Sequence, residues 1–225
     1  MILLFDLNGT LTSHTSQRNS TGINKPRPGV EHLVKLKREA GEEVILGIYS
    51  SASVRTVHSA IKMLEKAAGV GPGELFDRRV VLTRSFTAPA KQEHVEATGR
   101  EFKAWDTVKP LKKYFPNLHR VLLFDDDQHK SLDAERDNLV LVPCWEDGNA
   151  GDNAIEIMVA ALFKYLKEKT DDVRKISGRI TKEIFERFAP KIIGLEAGVE
   201  EKTTAIIVDK EGAAPLVFPE YARGM

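Results

Sequence analysis

Four short runs of apolar residues restrict the folds that this chain of 225 residues can adopt. They cover residues 2–5, 44–49, 121–124 and 139–142. Each run is continuous and does not alternate with polar residues, which is the pattern of strands buried on both faces of a parallel sheet. Segments with helical periodicity separate the runs, so right-handed crossovers are expected. The pattern predicts an α/β fold, an open parallel sheet with helices on both faces.

Capping and breaking residues mark the helices between these strands. Arg27-Pro28-Gly29 precedes the first helical segment, and Gly41 is placed to end it. Ser53 can cap the second segment through its hydroxyl oxygen. Lys109-Pro110 marks a third start, because proline suits the first helical position. This third helix is predicted to stop at Pro116.

The spacing of these elements predicts a core over residues 1–166 with a small β-rich insertion at about 70–105. In the insertion, Phe76–Arg84 has the composition of a strand. A C-terminal extension over 167–225 is predicted to hold a helix and then a hairpin at 204–218. The apolar positions of that helix are Val173, Ile176, Ile180, Ile184 and Phe188.

Composition excludes several classes of partner. The 33 basic and 33 acidic side chains balance, so a nucleic-acid partner is not expected. No stretch approaches the roughly 20 apolar residues of a membrane span, and the N-terminal apolar run lacks the basic leader of a secretory signal. The single cysteine, Cys144, excludes an internal disulfide framework. A cytoplasmic or nuclear location is therefore expected, and the oligomeric state stays open.

Polar residues directly follow three of the predicted strands. Asp6 follows the first run, Ser50 and Ser51 follow the second, and residues 125–127 are three consecutive aspartates after the third. In open parallel sheets, ligands bind beyond the carboxyl ends of the strands. These side chains are therefore expected to meet at one edge of the sheet.

Several carboxylates at one point repel each other unless a cation neutralises them or one is protonated. Mg²⁺ prefers one or two carboxylates together with waters and phosphate oxygens. Asp6 with Asp125 or Asp126, and a backbone carbonyl near Asn8, would supply such a site. The alternative is that residues 125–127 only cap the segment that follows them.

A carboxylate beside Mg²⁺ and a phosphate ester can attack phosphorus and form an aspartyl-phosphate. Hydroxyl and ammonium groups then stabilise the charge on the phosphoryl group. Ser50 is the candidate hydroxyl and Lys109 the candidate ammonium. The alternatives are that Ser50 is a turn residue and Lys109 a solvated surface lysine.

Taken in order, these residues resemble the four motifs of the haloacid dehalogenase (HAD) superfamily of phosphohydrolases. The motif residues are Asp6-Leu7-Asn8-Gly9-Thr10, Ser50, Lys109 and Asp125-Asp126. Within that superfamily the chain is similar to the small C-terminal-domain phosphatases and the nuclear LIM interactor-interacting factor group. The landmarks of that similarity are residues 27–29, 75–79 and 108–111. The resemblance covers roughly residues 1–166.

The resemblance implies a role for each motif residue. Asp6 would be the nucleophile, Ser50 would bind the phosphoryl group and Lys109 would steady it. The implied Mg²⁺ ligands are Asp6, the Asn8 carbonyl, Asp125 and Asp126. The residues assigned to substrate binding are Thr10, Ser51 and Arg27. Members of this group remove phosphate from serine in peptides.

At Asn8 the chain departs from this family, which has a second aspartate there to protonate the leaving group and activate water. An amide cannot carry a proton between groups, and loss of a general acid-base residue costs on the order of 10² to 10⁴ in rate. The first hypothesis is therefore an Mg²⁺-dependent phosphomonoesterase, plausibly for phosphoproteins, with weakened acid-base catalysis. A phosphatase-like binding module without turnover, and a phosphatase or phosphotransferase for small metabolites, are the alternatives.

Overall fold

A five-stranded parallel sheet forms the centre of the computed structural model, which describes residues 1–14, 24–146, 151–168 and 170–192. In chain order, the strands are β1 (Ile2–Phe5), β2 (Ile45–Tyr49), β3 (Val81–Leu82), β4 (Ala88–Pro89), β5 (Thr107–Val108), β6 (Val121–Asp125) and β7 (Leu139–Leu141). The central sheet has the order β3-β2-β1-β6-β7, while β4 and β5 pair antiparallel in a sheet of their own. The predicted α/β class and open parallel sheet are confirmed.

The α-helices of the described residues are α1 (Glu31–Ala40), α2 (Val54–Ala67), α3 (Gln92–Glu96), α4 (Ala154–Leu166) and α5 (Arg174–Ile192). Two of the predicted helix boundaries are confirmed. Gly41 ends α1 with a positive φ of 57°, and its N–H donates to the carbonyl of Lys37. Ser53 caps α2, where its Oγ accepts the N–H of Thr56 at 3.3 Å. Both ends are therefore set by short-range chemistry.

The strands of the sheet place alternate side chains on its two faces. Leu3 and Phe5 of β1 join the larger core, which α1, α2, α4 and α5 close. Leu4 faces the other way, into a second core that contains Leu111 and Leu118. Because both faces are covered, the strands of this sheet consist mainly of apolar residues, and Asp125 stands at the carboxyl end of β6.

Helix α5 shares the larger core. Its predicted apolar positions are all buried: Val173, Ile176, Ile180, Ile184 and Phe188. The helix of the predicted extension therefore packs on the core, while the boundary at residue 166 stays a prediction. The predicted hairpin at 204–218 lies outside the described residues.

Two predictions about local structure were wrong. Phe76–Arg84 is not one strand: a 3₁₀ turn over Arg78–Val80 precedes the two-residue β3, which extends the central sheet beside β2. The helix predicted from Pro110 to Pro116 is a single turn. Its first N–H groups, of Leu111 and Lys112, donate to the buried carboxylate of Glu135 at 2.7 and 2.8 Å.

In the part of the chain that the structure describes, no helix combines the length and the apolar character needed to cross a membrane. Helix α5 is the longest at 19 residues, and its exposed face is charged.

Replacing Ile180 with alanine tests the packing of α5 on the core. Ile180 is fully buried, so the cavity should lower the free energy of unfolding by about 2–5 kcal/mol. Lys175→Ala, on the exposed face of α5, is the matched control and should change it by less than about 0.5 kcal/mol. Urea unfolding measures both variants. A small, equal effect would show that α5 does not belong to the core.

Candidate active site

The carboxylates of the site follow two neighbouring strands. Phe5 of β1 pairs with Phe124 of β6, and the N–H of Asp6 donates to the Phe124 carbonyl at 2.8 Å. Asp6 and Asp125 therefore leave the sheet side by side, and Asp126 follows directly. One carboxylate oxygen from each of the three aspartates lies within 4.8 Å of the others. The predicted meeting of strand ends is observed at this point.

Lys109 reaches these carboxylates from the end of β5. It directly follows β5, and its N–H donates to the carbonyl of Lys130 at 2.7 Å. Its fully buried ammonium donates to Asp6 Oδ1 and to Asp125 Oδ2, each at 2.6 Å. Burial disfavours the ammonium, but the two carboxylates outweigh this and raise the pKa of Lys109. The residue is thus a buried cation and not a solvated surface lysine.

The site carries excess negative charge, because three carboxylates face one ammonium. Burial, opposed by Lys109 and reinforced by the Asp6 and Asp126 charges, raises the pKa of Asp125 to about 8. Burial and the Asp6 charge raise the pKa of Asp126 to about 6. A hard divalent cation on these oxygen ligands would remove the repulsion that raises both pKa values.

Gly9 allows the loop after β1 to approach Asp126. Its φ is +83°, a conformation that side chains rarely adopt, and an added Cβ would lie 2.2 Å from Asp126 Oδ2. The next residue, Thr10, is buried and donates its hydroxyl to Asp126 Oδ1 at 3.2 Å. Thr10, expected to bind substrate, therefore orients a carboxylate in this structure.

Asn8 lies in the same loop, and its side chain bonds within the protein. Its Oδ1 accepts the Asn24 amide at 2.5 Å and the Thr12 hydroxyl at 3.3 Å. Thr12 also forms isolated bridges with Asn8 and with Pro26. These bonds hold the amide in one orientation.

Ser50 and Ser51 follow β2, which pairs with β1 on the side opposite β6. Ser50 is buried, and its Oγ accepts the N–H of Ala52 at 3.3 Å. The Ser51 hydroxyl is 2.8 Å from the Thr107 hydroxyl of β5. Ser51 therefore joins the strand end to the insertion, while Ser50 keeps its predicted place at the sheet edge.

Arg27 is buried beside the loop after β1. Its guanidinium is 1% exposed and forms a bidentate ion pair with Asp152, with both distances 2.8 Å. Its remaining bonds go to the carbonyls of Gly9, Thr10 and Pro143, at 2.9 to 3.2 Å. Because the side chain is committed to these partners, it holds the loop after β1 in place.

Sequence reasoning missed three residues around the site. Asp152 holds Arg27 from 125 residues away, a pairing with no local signal. Desolvation together with the Asp126 carboxylate raises the pKa of the Cys144 thiol. Trp145 is 4% exposed, and its backbone N–H donates to the Gly9 carbonyl at 2.8 Å. Cys144 and Trp145 follow the β7 run, so their position after a buried strand was the available signal.

Residues 1–174 match the family model of the NLI interacting factor-like phosphatases. The chain belongs to this family. The predicted resemblance to the nuclear LIM interactor-interacting factor group is confirmed. Membership of the NLI interacting factor-like phosphatases supports a phosphatase activity in general terms. No curated protein matches the chain.

Solved structures of Fcp1 are among those similar to this family member. One is a variant of the fission yeast RNA polymerase II CTD phosphatase Fcp1 bound to beryllium fluoride. It has 17% sequence identity to this chain and a TM-score of 0.41, and the match covers 77% of this chain and 53% of that chain. A second structure, of the essential RNA polymerase II CTD phosphatase Fcp1, has 18% sequence identity and a TM-score of 0.40. That match covers 88% of this chain and 54% of the Fcp1 chain. This chain thus spans about half of each.

Loss of Arg27 should destabilise the protein, because the buried Asp152 carboxylate loses its cation and keeps only the N–H of Ala154. We expect Arg27→Met to lower the free energy of unfolding by about 3–5 kcal/mol. The double variant Arg27→Met, Asp152→Leu removes both charges and should recover most of that loss. Urea unfolding of the three proteins measures the difference. If the double variant were as unstable as the single one, the ion pair would not be the source of the effect.

Proposed function

We propose that this protein is an Mg²⁺-dependent phosphomonoester hydrolase that acts on phosphorylated proteins. The observation that carries the proposal is the arrangement of Lys109, which binds Asp6 and Asp125 at 2.6 Å each, beside Asp126. A buried carboxylate held by a cation at the edge of a parallel sheet is placed to attack an electrophile. Family membership supports phosphorus as that electrophile.

In this proposal, Asp6 Oδ2 attacks phosphorus while Lys109 holds Oδ1. The bond from phosphorus to Asp6 forms as the bond to the leaving oxygen breaks, which yields an aspartyl-phosphate. Ser50 and Lys109 donate hydrogen bonds to the phosphoryl oxygens, where charge develops. Water then attacks phosphorus and releases the Asp6 carboxylate with inorganic phosphate.

The residues that would hold Mg²⁺ are Asp6, Asp125, Asp126 and the carbonyl of Asn8. When bound, the ion would neutralise the excess negative charge and draw the phosphate toward Asp6. Thr10 and Gly9 fix the Asp126 carboxylate for this purpose. Arg27 and Ser51 act as positioning residues, one for the loop after β1 and the other for the insertion.

Asn8 favours a second candidate function, a module that binds phosphorylated partners without turnover. Binding requires the cation, Lys109 and Ser50, but it does not require a group that shuttles a proton. Both candidates therefore use the same pocket, and kinetics must separate them. Small phosphoesters stay an alternative substrate class to phosphoproteins, and the cytoplasmic or nuclear location stays a prediction.

An aryl phosphate with Mg²⁺ tests the hydrolase. Because a phenolate leaves without acid assistance, we expect measurable turnover by the wild-type chain and its loss in Asp6→Asn. Asn8→Asp should increase turnover by on the order of 10- to 100-fold, since it restores a proton carrier. Release of inorganic phosphate measures all three proteins. Turnover that survives in Asp6→Asn would exclude the proposed nucleophile. No turnover by wild type, but turnover by Asn8→Asp, would favour the binding module.

Affinity for Mg²⁺ should depend on pH in a direction set by Asp126. Its raised pKa, about 6, means that the carboxyl of the free protein is protonated below pH 6 and must lose that proton to bind a cation. We expect affinity to rise by about tenfold or more between pH 5 and pH 7 and to keep rising toward pH 8, where Asp125 ionises. Isothermal titration calorimetry measures it.

Two variants complete the Mg²⁺ experiment. Asp126→Asn should weaken binding and flatten the rise through pH 6. Asp133→Asn is the matched control: this exposed carboxylate pairs with Arg136, and the variant should keep the pH dependence of the wild-type chain. An affinity that is equal at pH 5 and pH 7 would contradict the ligand role of Asp126.

A further inference from the structure

The exposed face of α2 carries a stripe of basic side chains. They are Arg55, His58, Lys62 and Lys66, and all four are exposed. This spacing places them on one side of the helix, because side chains three and four residues apart are neighbours on a helix surface. At a rise of 1.5 Å per residue the stripe is about 16 Å long. The opposite side of α2 is buried in the larger core.

Acidic side chains do not neutralise this stripe. Within the described residues, none of its four side chains forms an ion pair or a hydrogen bond. Glu65 is the one acidic residue of α2; it is 1% exposed, and its Oε1 accepts the N–H of Gly73 at 2.8 Å. Because the charges of the whole chain balance, the stripe is a local excess of positive charge.

A groove of about 410 Å³ lies between the stripe and the edge strand β3. Its basic lining comes from His58, Lys62 and Arg78, and its apolar lining comes from Ile61 and Val81. Arg78 is exposed and, in the part of the chain that the structure describes, forms no ion pair. The groove can therefore hold an apolar side chain while cations face the groups on either side of it.

A second groove, of about 320 Å³, shares Lys62 with the first. Its other lining residues are Glu65, Lys66, Val70 and Pro72. The Oε2 atom of Glu65 is buried and, among the described residues, has no hydrogen-bond partner. A buried acceptor of this kind is satisfied by an N–H donor. The groove thus offers cations to acidic groups and one carboxylate oxygen to a donor.

The stripe begins beside the candidate active site. Arg55 lies in the first turn of α2, four residues after Ser51. Arg84 binds the same segment, because its Nε donates to the Ser51 carbonyl at 2.7 Å and its N–H donates to the Ala52 carbonyl at 2.9 Å. A ligand that lies along the stripe can therefore continue to the edge of the sheet where Ser50 stands.

Resting on the proposed function, we propose that the exposed face of α2 docks an acidic segment of the phosphorylated protein on which the site acts. Carboxylates of such a segment fit the basic stripe, its apolar side chains fit the two grooves, and its backbone N–H groups fit Glu65 Oε2. About five extended residues, at 3.3 Å each, span the stripe. Nucleic acids and anionic lipids bring phosphates instead, which the Glu65 carboxylate would repel.

Fluorescence anisotropy with a phosphate-free peptide tests the docking surface without turnover. The probe is a short labelled peptide rich in glutamate, with leucines spaced along it, and its analogue has glutamine in place of every glutamate. We expect the acidic peptide to bind the wild-type chain at least about tenfold more tightly than the analogue. Added salt should weaken that binding, because exposed charges are screened. Equal binding of the two peptides would overturn the proposal.

Two double variants show whether the stripe is the binding surface. Lys62→Gln, Lys66→Gln should weaken binding of the acidic peptide by about fivefold or more, since each exposed charge contact contributes modestly. Lys167→Gln, Lys175→Gln is the matched control and should bind like the wild-type chain. Both control lysines are exposed, and Lys175 belongs to α5, which packs beside β7 at the opposite edge of the sheet from β3.

Three outcomes of the binding experiment would overturn the docking surface. The first is an equal loss of affinity in the two double variants, which would reflect net charge alone. The second is tighter binding of a single-stranded oligonucleotide than of the acidic peptide. The third is tighter binding of vesicles that contain phosphatidylserine.

Kinetics connect the docking surface to the candidate active site. Three phosphopeptides share one phosphoserine core and carry the acidic segment before it, after it, or replaced by glutamines. We expect a lower KM for one of the two acidic peptides with the wild-type chain. Lys62→Gln, Lys66→Gln should remove this difference, and the control pair should keep it.

The outcomes separate this proposal from the function on which it rests. Turnover that requires Asp6, with equal KM for the three phosphopeptides, overturns the docking of substrate alone. Binding of the acidic peptide through Lys62 and Lys66, without turnover of any phosphoester, overturns the hydrolase and supports a binding module that uses the docking surface. Asp6-dependent turnover with the lower KM supports both.

Discussion

Negative charge collected at one edge of a sheet is the constraint on which this structure depends. Asp6, Asp125 and Asp126 lie within 4.8 Å of one another, and Lys109 balances only part of their charge. Buried ions are strongly destabilising unless they are paired and hydrogen-bonded. The arrangement persists because well-packed strands hold two of the carboxylates and a backbone bond to Lys130 holds the lysine.

The position of Lys109 explains why the following segment is a turn. The Glu135 carboxylate accepts the N–H groups of Leu111 and Lys112, and Val108 pairs with Ala88 just before the lysine. The chain is therefore fixed on both sides of Lys109 by partners from distant segments. A longer helix from Pro110 would need other partners for those N–H groups, so tertiary contacts override the local helix signals.

The parts of the fold that the sequence predicts are those with short-range causes. The continuous apolar runs, the Ser53 cap and the stop at Gly41 reflect interactions within a few residues, and the meeting of Asp6 with Asp125 follows from the topology of a parallel sheet. Strand β3 has two residues, too few for a periodic signal.

The inner supports of the site could not be predicted for a different reason. The guanidinium of Arg27, which was expected to bind substrate, forms a buried ion pair with Asp152. Which carboxylate meets this guanidinium is decided by the tertiary fold. Asn8 could be recognised as unusual from the sequence, but its orientation depends on Asn24 and Thr12. Such pairings belong to tertiary structure alone.

The two tryptophans differ in solvent exposure, so their fluorescence can be separated. Trp145 is 4% exposed, and its backbone N–H donates to the Gly9 carbonyl. Trp105 is 75% exposed and lies two residues before Thr107 of β5. A soluble quencher can contact the indole of Trp105, whereas the surrounding protein shields the indole of Trp145. Emission from this protein therefore has two components, one from the buried Trp145 after β7 and one from the exposed Trp105, and added quencher removes the second before the first.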